Sequence, residues 1–173
     1  MDRLILIRHG DYDPDTGSLD SDGIEQVNRL AAALATYIVR PVSIISSPAT
    51  RTAETAALIS ELILNGTEVR YHNVLDIEQD TQTTDDDTKN AAIDNIFNNA
   101  GESAATIIMV THDPIIDDYI NHYLRECNGL KRRLHLAVRY AEAVMIDLGN
   151  GHVFVAGQSD SGVVIQRYGF AAS

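Results

Sequence analysis

The sequence has little of several residue types, and each shortage argues against a class of protein. Cys127 is the only cysteine among 173 residues, so no intramolecular disulfide can form, and a reducing, cytoplasmic compartment is expected. Lysine and arginine number 13 against 25 aspartates and glutamates, which gives a formal net charge of −12. This excess of acid disfavours binding to nucleic acids and to anionic membrane surfaces.

Long hydrophobic runs are also missing from the chain. No stretch approaches the roughly 20 apolar residues that a membrane-spanning helix needs. The apolar run before Arg8 has only four residues, which is too short for the core of a secretory signal. No internal repeat or low-complexity linker divides the chain. Since 45% of the residues are hydrophobic, we expect a single folded domain over residues 1–173.

Short β-branched runs alternate with helical patterns through the first two-thirds of the chain. Strands are predicted over 3–7, 42–45, 68–74 and 106–110, and helices over 22–38, 49–62, 84–100 and 113–124. The proposed helix starts are Asp22 with Glu25, Ser47 with Pro48, and Asp113 with Pro114. Residues 143–148 and 152–156 flank a Gly-Asn-Gly turn, and a last strand is predicted over 162–168. The pattern predicts an α/β three-layer sandwich, with a mostly parallel central sheet, helices on both faces and an antiparallel edge hairpin.

Basic and imidazole side chains follow three of the predicted strands. Arg8 and His9 follow the first, Arg51 follows the second and His112 follows the third. If these strands are parallel neighbours, the four side chains converge at one sheet edge, where ligands of such folds bind. Arginine matches a phosphate with two parallel hydrogen bonds, and neutral imidazole is a competent nucleophile. Gly10 would let the backbone approach a ligand closely, so these residues together indicate a phosphate site.

Four motifs, in order, resemble those of the histidine phosphatase superfamily, which has the phosphoglycerate-mutase-like fold. They are Leu6-Ile7-Arg8-His9-Gly10, then Leu19-Asp20-Ser21-Asp22-Gly23-Ile24-Glu25-Gln26, then Ser46-Ser47-Pro48-Ala49-Thr50-Arg51-Thr52-Ala53-Glu54-Thr55-Ala56, and Val110-Thr111-His112. The short chain and the Arg-His-Gly-Asp opening look closest to the small phosphohistidine phosphatases. These act on phosphoproteins and lack a large inserted lid.

The resemblance implies a role for each residue of the cluster. His9 would attack phosphorus and carry a covalent phosphohistidine, which water then hydrolyses. Arg8, Arg51 and His112 would hold the phosphoryl oxygens, with Gly10 beside them. Neither a metal nor another cofactor is expected, and the expected partner is a phosphorylated substrate. The sequence does not indicate an oligomeric state.

The general acid that protonates the leaving group has more than one candidate. Asp113 directly follows His112, as in the acid-phosphatase branch of the family, and is preferred. Glu78 is the alternative, since many members carry a mid-chain glutamate, and Asp76 lies nearby in the same segment. Asp113 could instead serve only as a helix cap, and Glu78 could be an exposed loop carboxylate.

The substrate is open at this stage, because the cluster recognises only a phosphoryl group. A phosphohistidine protein, a sugar phosphate and a nucleotide all fit. Residues 11–14 are Asp-Tyr-Asp-Pro, where members acting on phosphoglycerate carry an asparagine, and this argues against a mutase. The acidic stretch 78–87 would form a short lid or a solvated loop.

Two other functions compete with the phosphatase. One is a metal-dependent phosphohydrolase, because His112-Asp113 is followed by Asp117, Asp118 and His122, as in a His-Asp metal motif. Within that set, Asp118 and His122 lie four residues apart on a predicted helix face and could share a metal. A surface ion pair between Asp118 and His122 is the simpler interpretation. The other is a non-catalytic protein of the same fold that binds a phosphate or phosphoprotein.

Four remaining basic features do not have the sequence spacing of metal- or substrate-binding residues. They are His72, His135, His152 and the run Lys131-Arg132-Arg133. The histidines are expected to be structural or exposed. The basic run is expected to be a solvated loop, with contact to an acidic partner as the alternative.

Overall fold

One seven-stranded sheet organises the computed structural model, which describes residues 1–77, 86–129, 133–134 and 136–168. The strands are β1 Arg3–Arg8, β2 Val42–Ser46, β3 Val69–Tyr71, β4 Thr106–Thr111, β5 Ala143–Asp147, β6 His152–Ser159 and β7 Gly162–Tyr168. The helices are α1 Ser21–Leu34, α2 Thr50–Ile63, α3 Asp86–Gly101 and α4 Asp113–Asn128, with one-turn 3₁₀ helices at Ala35–Tyr37 and Asn73–Leu75.

The strand order β3-β2-β4-β1-β5-β6-β7 divides the sheet into two halves. Strands β3, β2, β4 and β1 are parallel, while β5, β6 and β7 pair antiparallel from β1 outward. The sheet is therefore mixed. The predicted hairpin is confirmed as β5 and β6, and β7 extends it to form the edge of the sheet.

Strand β1 shows why helices cover both faces of the sheet. Leu4 and Leu6 belong to one core cluster with side chains of α3 and α4, whereas Ile5 and Ile7 belong to another with side chains of α1 and α2. Successive side chains of a strand point to opposite faces, so an unbroken apolar strand requires cover on both. The α/β fold class predicted from the sequence is confirmed.

Helix starts differ in detail from the sequence predictions. Helix α1 begins at Ser21, and its cap is Asp20, whose Oδ1 accepts the Gly23 N–H at 2.7 Å, so the prediction of Asp22 as cap was wrong. Helix α2 begins at Thr50 rather than at Pro48, and Ser47 Oγ accepts the Ala49 N–H at 3.2 Å. Sequence spacing leaves such shifts open, because neighbouring polar residues can all cap a helix.

Helix α4 begins directly after β4, and this brings two site residues to its N-terminus. His112 occupies the cap position without a side-chain cap bond, and Asp113 is the first helical residue. Gly129 ends the helix in the left-handed conformation at φ 65°, which glycine adopts without strain. In the described part of the chain, none of the helices has the length and hydrophobicity to cross a bilayer.

Candidate active site

The sheet order brings the three predicted strand ends together. Strand β4 lies between β2 and β1, so His112 follows the central strand of the three. The His9 and His112 rings lie edge to face with centroids 5.1 Å apart. Arg51, in the first turn of α2, donates from Nε to His9 Nε2 at 3.3 Å. The convergence of Arg8, His9, Arg51 and His112 that the sequence predicted is therefore present in the fold.

Hydrogen bonding fixes the tautomer of His9. Its Nδ1 lies 2.8 Å from the carbonyl oxygen of Gly10, which can only accept, so Nδ1 carries the proton. The Nε2 atom is then unprotonated and faces Arg51. His9 is only 4% exposed. The imidazole is thus held with its unprotonated nitrogen toward Arg51.

The local environment keeps both histidines neutral. Burial, followed by the charges of Arg51 and Arg8, lowers the pKa of His9 from 6.5 to about 4, against the opposing effect of its hydrogen bond to Gly10. Burial and then the neighbouring His9, Arg51 and Arg8 lower the pKa of His112 to about 3, with Lys89 contributing. Protonation of both imidazoles would add a third and a fourth positive charge to those of Arg8 and Arg51, so the neutral forms are favoured.

These two low pKa values predict an acid-sensitive stability. Between pH 6.5 and about 4 the unfolded chain binds protons at His9 and His112 that the folded chain does not bind. The free energy of unfolding is therefore unaffected by these two groups above this window and falls as the pH drops through it, by up to about 1.4 kcal/mol per pH unit for each histidine. Urea denaturation at several pH values across the window should show that the free energy of unfolding depends less steeply on pH for His112→Asn than for the wild type. An unchanged pH dependence for His112→Asn, or an equally reduced pH dependence for the distant His152→Asn, would contradict this origin.

Polar contacts at the strand ends hold His112 and the first turn of α2. His112 Nε2 lies 3.4 Å from Ser47 Oγ and 3.9 Å from Asp76 Oδ1. Thr55 Oγ1 accepts the Gly10 N–H at 3.1 Å and donates to the carbonyl of Arg51 at 2.7 Å. Ser47 and Thr55 lie within the quoted motif, but their roles depend on contacts across the sheet edge and were not predicted.

Gly10 is required by packing in this structure. A Cβ there would lie 2.9 Å from the Gly23 carbonyl oxygen and 3.0 and 3.1 Å from the side chains of Val27 and Leu19. The backbone at the end of β1 therefore approaches α1 closely. A contact between Gly10 and the substrate stays a prediction.

The loop after β1 is tied to the helices by two side chains of the quoted motifs. Gln26 Oε1 accepts the Asp11 N–H at 3.1 Å, and Glu54 Oε2 accepts the Leu19 N–H at 2.6 Å. These bonds explain why a glutamine and a glutamate follow at those spacings. They fix the loop 11–20 at the mouth of the site.

The acid candidates lie in different places. Asp76 is 5% exposed and lines a cavity of about 470 Å³ together with Tyr12, Arg51 and the loop 14–17. Asp113 Oδ1 accepts the Val138 N–H at 3.2 Å. It lines a second cavity, of about 380 Å³, which Asp117, Asp118 and Arg133 also line. Glu78 lies outside the described residues.

The residues of the metal hypothesis have other partners. Arg133 contacts Asp117 and Asp118, and His122 Nε2 lies 2.9 Å from Asp94 Oδ2. Asp118 and His122 therefore do not form the ion pair with each other that their spacing suggested. No group of three metal-ligating side chains occurs in the stretches that the structure describes.

The isolated basic features are only partly described. His135 and Lys131-Arg132 lie outside the described residues, while Arg133 is exposed. His152 contacts Arg167 on the outer hairpin, and the pKa of His72 is lowered by burial and by Arg70. None of these described residues lines the 470 Å³ cavity.

Comparisons with known proteins identify a family model that matches part of the chain. The family model described as histidine phosphatase superfamily (branch 1) matches residues 4–81, which confirms the resemblance predicted from the motifs. No curated protein sequence matches the chain significantly.

Solved structures with this fold include several phosphatases. A mutant phosphoserine phosphatase from Entamoeba histolytica, in complex with phosphoserine, is 20% identical with a TM-score of 0.60, over 95% of each chain. The protein histidine phosphatase SixA, complexed with tungstate, is 14% identical with a TM-score of 0.59, over 95% of this chain and 94% of its own. A mycobacterial glucosyl-3-phosphoglycerate phosphatase is 17% identical with a TM-score of 0.61, over 100% of each chain. At these identities the likeness concerns the fold.

Proposed function

We propose that this chain, which resembles the histidine phosphatase superfamily over residues 4–81, is a phosphatase that forms a covalent phosphohistidine on His9. The observation that carries the proposal is the state of His9. Its Nδ1 proton is held by the Gly10 carbonyl, and its unprotonated Nε2 faces Arg51. A buried neutral imidazole beside cationic donors is suited to attack on a phosphoryl group.

The reaction proceeds in two displacements at phosphorus. His9 Nε2 attacks, the bond from phosphorus to the leaving group breaks, and its electron pair departs with the leaving group, which takes a proton from the general acid. Water then attacks the phosphohistidine and gives a proton to the same carboxylate. The phosphorus–nitrogen bond breaks, and inorganic phosphate and neutral His9 are released. The proposal requires neither a metal nor another cofactor.

Three side chains are assigned to the phosphoryl oxygens. Arg8 and Arg51 offer guanidinium donors, and His112 offers a ring N–H. The Nε atom of Arg8 and the Nδ1 atom of His112 are buried without a hydrogen-bond partner among the described residues. Because buried donors are normally satisfied and an arginine Nε always carries a proton, Arg8 Nε is suited to oxyanion binding, and His112 Nδ1 is suited to it in the tautomer that carries the ring proton there.

For the general acid, the geometry favours Asp76 over the sequence-preferred Asp113. Asp76 borders the cavity that contains Arg51, and its Oδ1 lies 3.9 Å from His112 Nε2. Asp113 uses Oδ1 to anchor the backbone of Val138. Asp113 is therefore proposed to have a structural role at the start of α4, and Glu78 remains the alternative predicted from the sequence.

The assignment predicts a dependence on the leaving group. Asp76→Asn should slow the hydrolysis of an alkyl phosphomonoester about 100-fold, because an alkoxide needs protonation to leave. Hydrolysis of p-nitrophenyl phosphate should fall far less, since nitrophenolate leaves unprotonated. Steady-state kinetics with both substrates, with Asp113→Asn in parallel, gives the comparison. If only Asp113→Asn slows the alkyl phosphomonoester much more than p-nitrophenyl phosphate, Asp113 is the acid and the assignment to Asp76 is wrong.

Trapping of the intermediate tests the mechanism. The protein is incubated with a ³²P-labelled phosphodonor, quenched in base and mapped by peptide analysis. We expect one label, acid-labile and base-stable, on His9. A protein that binds phosphate with no turnover and no label would be a non-catalytic binder. Turnover lost on chelation and restored by a divalent cation would instead support the metal-dependent alternative.

The proposed substrate is a phosphohistidine protein or a small phosphomonoester. The similar structures named above include a protein histidine phosphatase, a phosphoserine phosphatase and a glucosyl-3-phosphoglycerate phosphatase. A screen of phosphorylated metabolites against phosphohistidine protein, ranked by kcat/KM, distinguishes these classes.

A further inference from the structure

Two tyrosines outside the functional assignments lie beside His9. The Tyr12 ring centroid lies 5.3 Å from that of His9, and the Tyr140 centroid lies 5.4 Å from it. The two tyrosine rings are 6.1 Å apart and nearly perpendicular. Tyr12 comes from the loop after β1 and Tyr140 from the segment just before β5, so the fold brings the two tyrosine rings and the imidazole into one cluster of three rings.

Each tyrosine ring lies against one arginine of the cluster. The guanidinium carbon of Arg51 lies 4.7 Å from the ring centroid of Tyr12, and that of Arg8 lies 4.2 Å from the ring centroid of Tyr140. Both distances are within the range of about 6 Å at which a cation is attracted to the negative face of an aromatic ring. The pairing is one to one, with a separate ring for each arginine.

The two arginines act on the same part of the site. Arg51 and Arg8 both lower the pKa values of His9 and His112, so the two cations repel each other, and attraction to a ring face offsets part of that repulsion. Arg8 donates from Nη1 to the carbonyl of Val138 at 2.7 Å, while its Nε has no partner among the described residues. The ring face of Tyr140 supplies attraction without using the donors that a phosphoryl group needs.

We propose that Tyr12 and Tyr140 are positioning residues, Tyr12 for Arg51 and Tyr140 for Arg8. The proposal rests on the proposed function in one respect, that these arginines hold the phosphoryl oxygens. Each ring fixes the plane of one guanidinium, so that its donors are aligned before an oxyanion binds. Preorganised donors bind a transferring phosphoryl group more strongly than donors that must reorient.

The test measures oxyanion affinity after each ring is replaced. Inorganic phosphate and tungstate serve as probes, by calorimetry and as competitive inhibitors of p-nitrophenyl phosphate hydrolysis. Tyr12→Met and Tyr140→Met keep an apolar side chain and remove the aromatic face, so each should weaken binding about ten-fold. Tyr12→Phe and Tyr140→Phe keep the face and should stay within about two-fold. Tyr168→Met, on the edge strand, is the control and should leave the affinity for phosphate and tungstate unchanged.

A double-mutant cycle distinguishes positioning from general loss of structure. If Tyr12 acts through Arg51, Tyr12→Met should have little further effect in an Arg51→Lys background, but its full effect in an Arg8→Lys background. Tyr140→Met should show the reverse pattern. If each tyrosine substitution weakens oxyanion binding by the same factor in both arginine backgrounds, the proposal is overturned.

A second set of variants covers failure of the methionine variants to fold. Fluorinated phenylalanines at positions 12 and 140 keep the ring shape while reducing the negative potential of its face. Affinity for phosphate should fall stepwise with fluorine number, and a flat series would overturn the proposal. Calorimetry measures the affinity for phosphate and does not need turnover. A chain that binds phosphate without hydrolysing the substrate would refute the proposed phosphatase activity. The calorimetric affinities of the tyrosine variants would still test the positioning of the arginines.

Discussion

His9→Ala is expected to abolish phosphatase turnover, by about 1000-fold or more in kcat, as loss of a nucleophile does in other covalent enzymes. The reason is geometric. The unprotonated Nε2 of His9 is buried, faces Arg51, and has its ring orientation fixed by the Gly10 carbonyl. No neighbouring group replaces it readily, because the nearest imidazole, His112, is held beside Ser47 and Asp76.

The measurement combines kinetics, labelling and binding. The variant should lose both p-nitrophenyl phosphate hydrolysis and ³²P incorporation, while inorganic phosphate still binds through the arginines. His152→Ala, on the outer hairpin, is the matched control and should keep wild-type rates. Substantial turnover by a folded His9→Ala variant would mean that another group attacks phosphorus, and the proposed mechanism would be wrong.

Arg51→Ala is expected to give the second largest effect, a loss of about 100- to 1000-fold in kcat/KM. Arg51 is 7% exposed and donates to His9 Nε2, so its removal affects the phosphoryl site and the nucleophile together. It also removes a cation that lowers the pKa of His9. The pKa of His9 should therefore rise, and the acid limb of the pH–rate profile should move to higher pH.

A surface arginine provides the control for this second prediction. Arg29 lies on α1 and pairs with Glu25 at 3.6 Å, with 39% of its side chain exposed. Arg29→Ala should leave both the rate and the pH profile unchanged. An Arg51→Ala variant with an unshifted acid limb would show that Arg51 does not act on His9, even if the rate falls.

The convergence of the basic cluster could be predicted because it depends on local patterns. An apolar, β-branched run such as 3–7 or 106–110 forms a buried strand, and intervening helices make successive strands parallel. The carboxyl ends of parallel strands then meet at one edge. Arg8 and His9 come directly after the first run and His112 comes one residue beyond the second, so their positions relative to the sheet followed from the sequence.

The choice among acids could not be predicted in the same way. Asp113 is adjacent to His112 in sequence, yet its Oδ1 accepts a hydrogen bond from Val138, which is remote in the chain. Asp76 follows a one-turn helix that the sequence did not indicate, and comes to lie beside His112. A carboxylate's partner depends on which segment folds over it, and spacing along the chain does not encode this.

The sequence by itself determined the alternation of strands and helices, the family resemblance and the set of residues that we propose to bind a phosphoryl group. These features depend on periodicity and on motifs a few residues long. Only the tertiary structure decided the neutral tautomer of His9, the packing of Gly10 against α1 and the two tyrosine–arginine pairs. Tyr140 reaches His9 because β5 pairs with β1, and such a contact arises from strand order across the sheet, which no local pattern specifies.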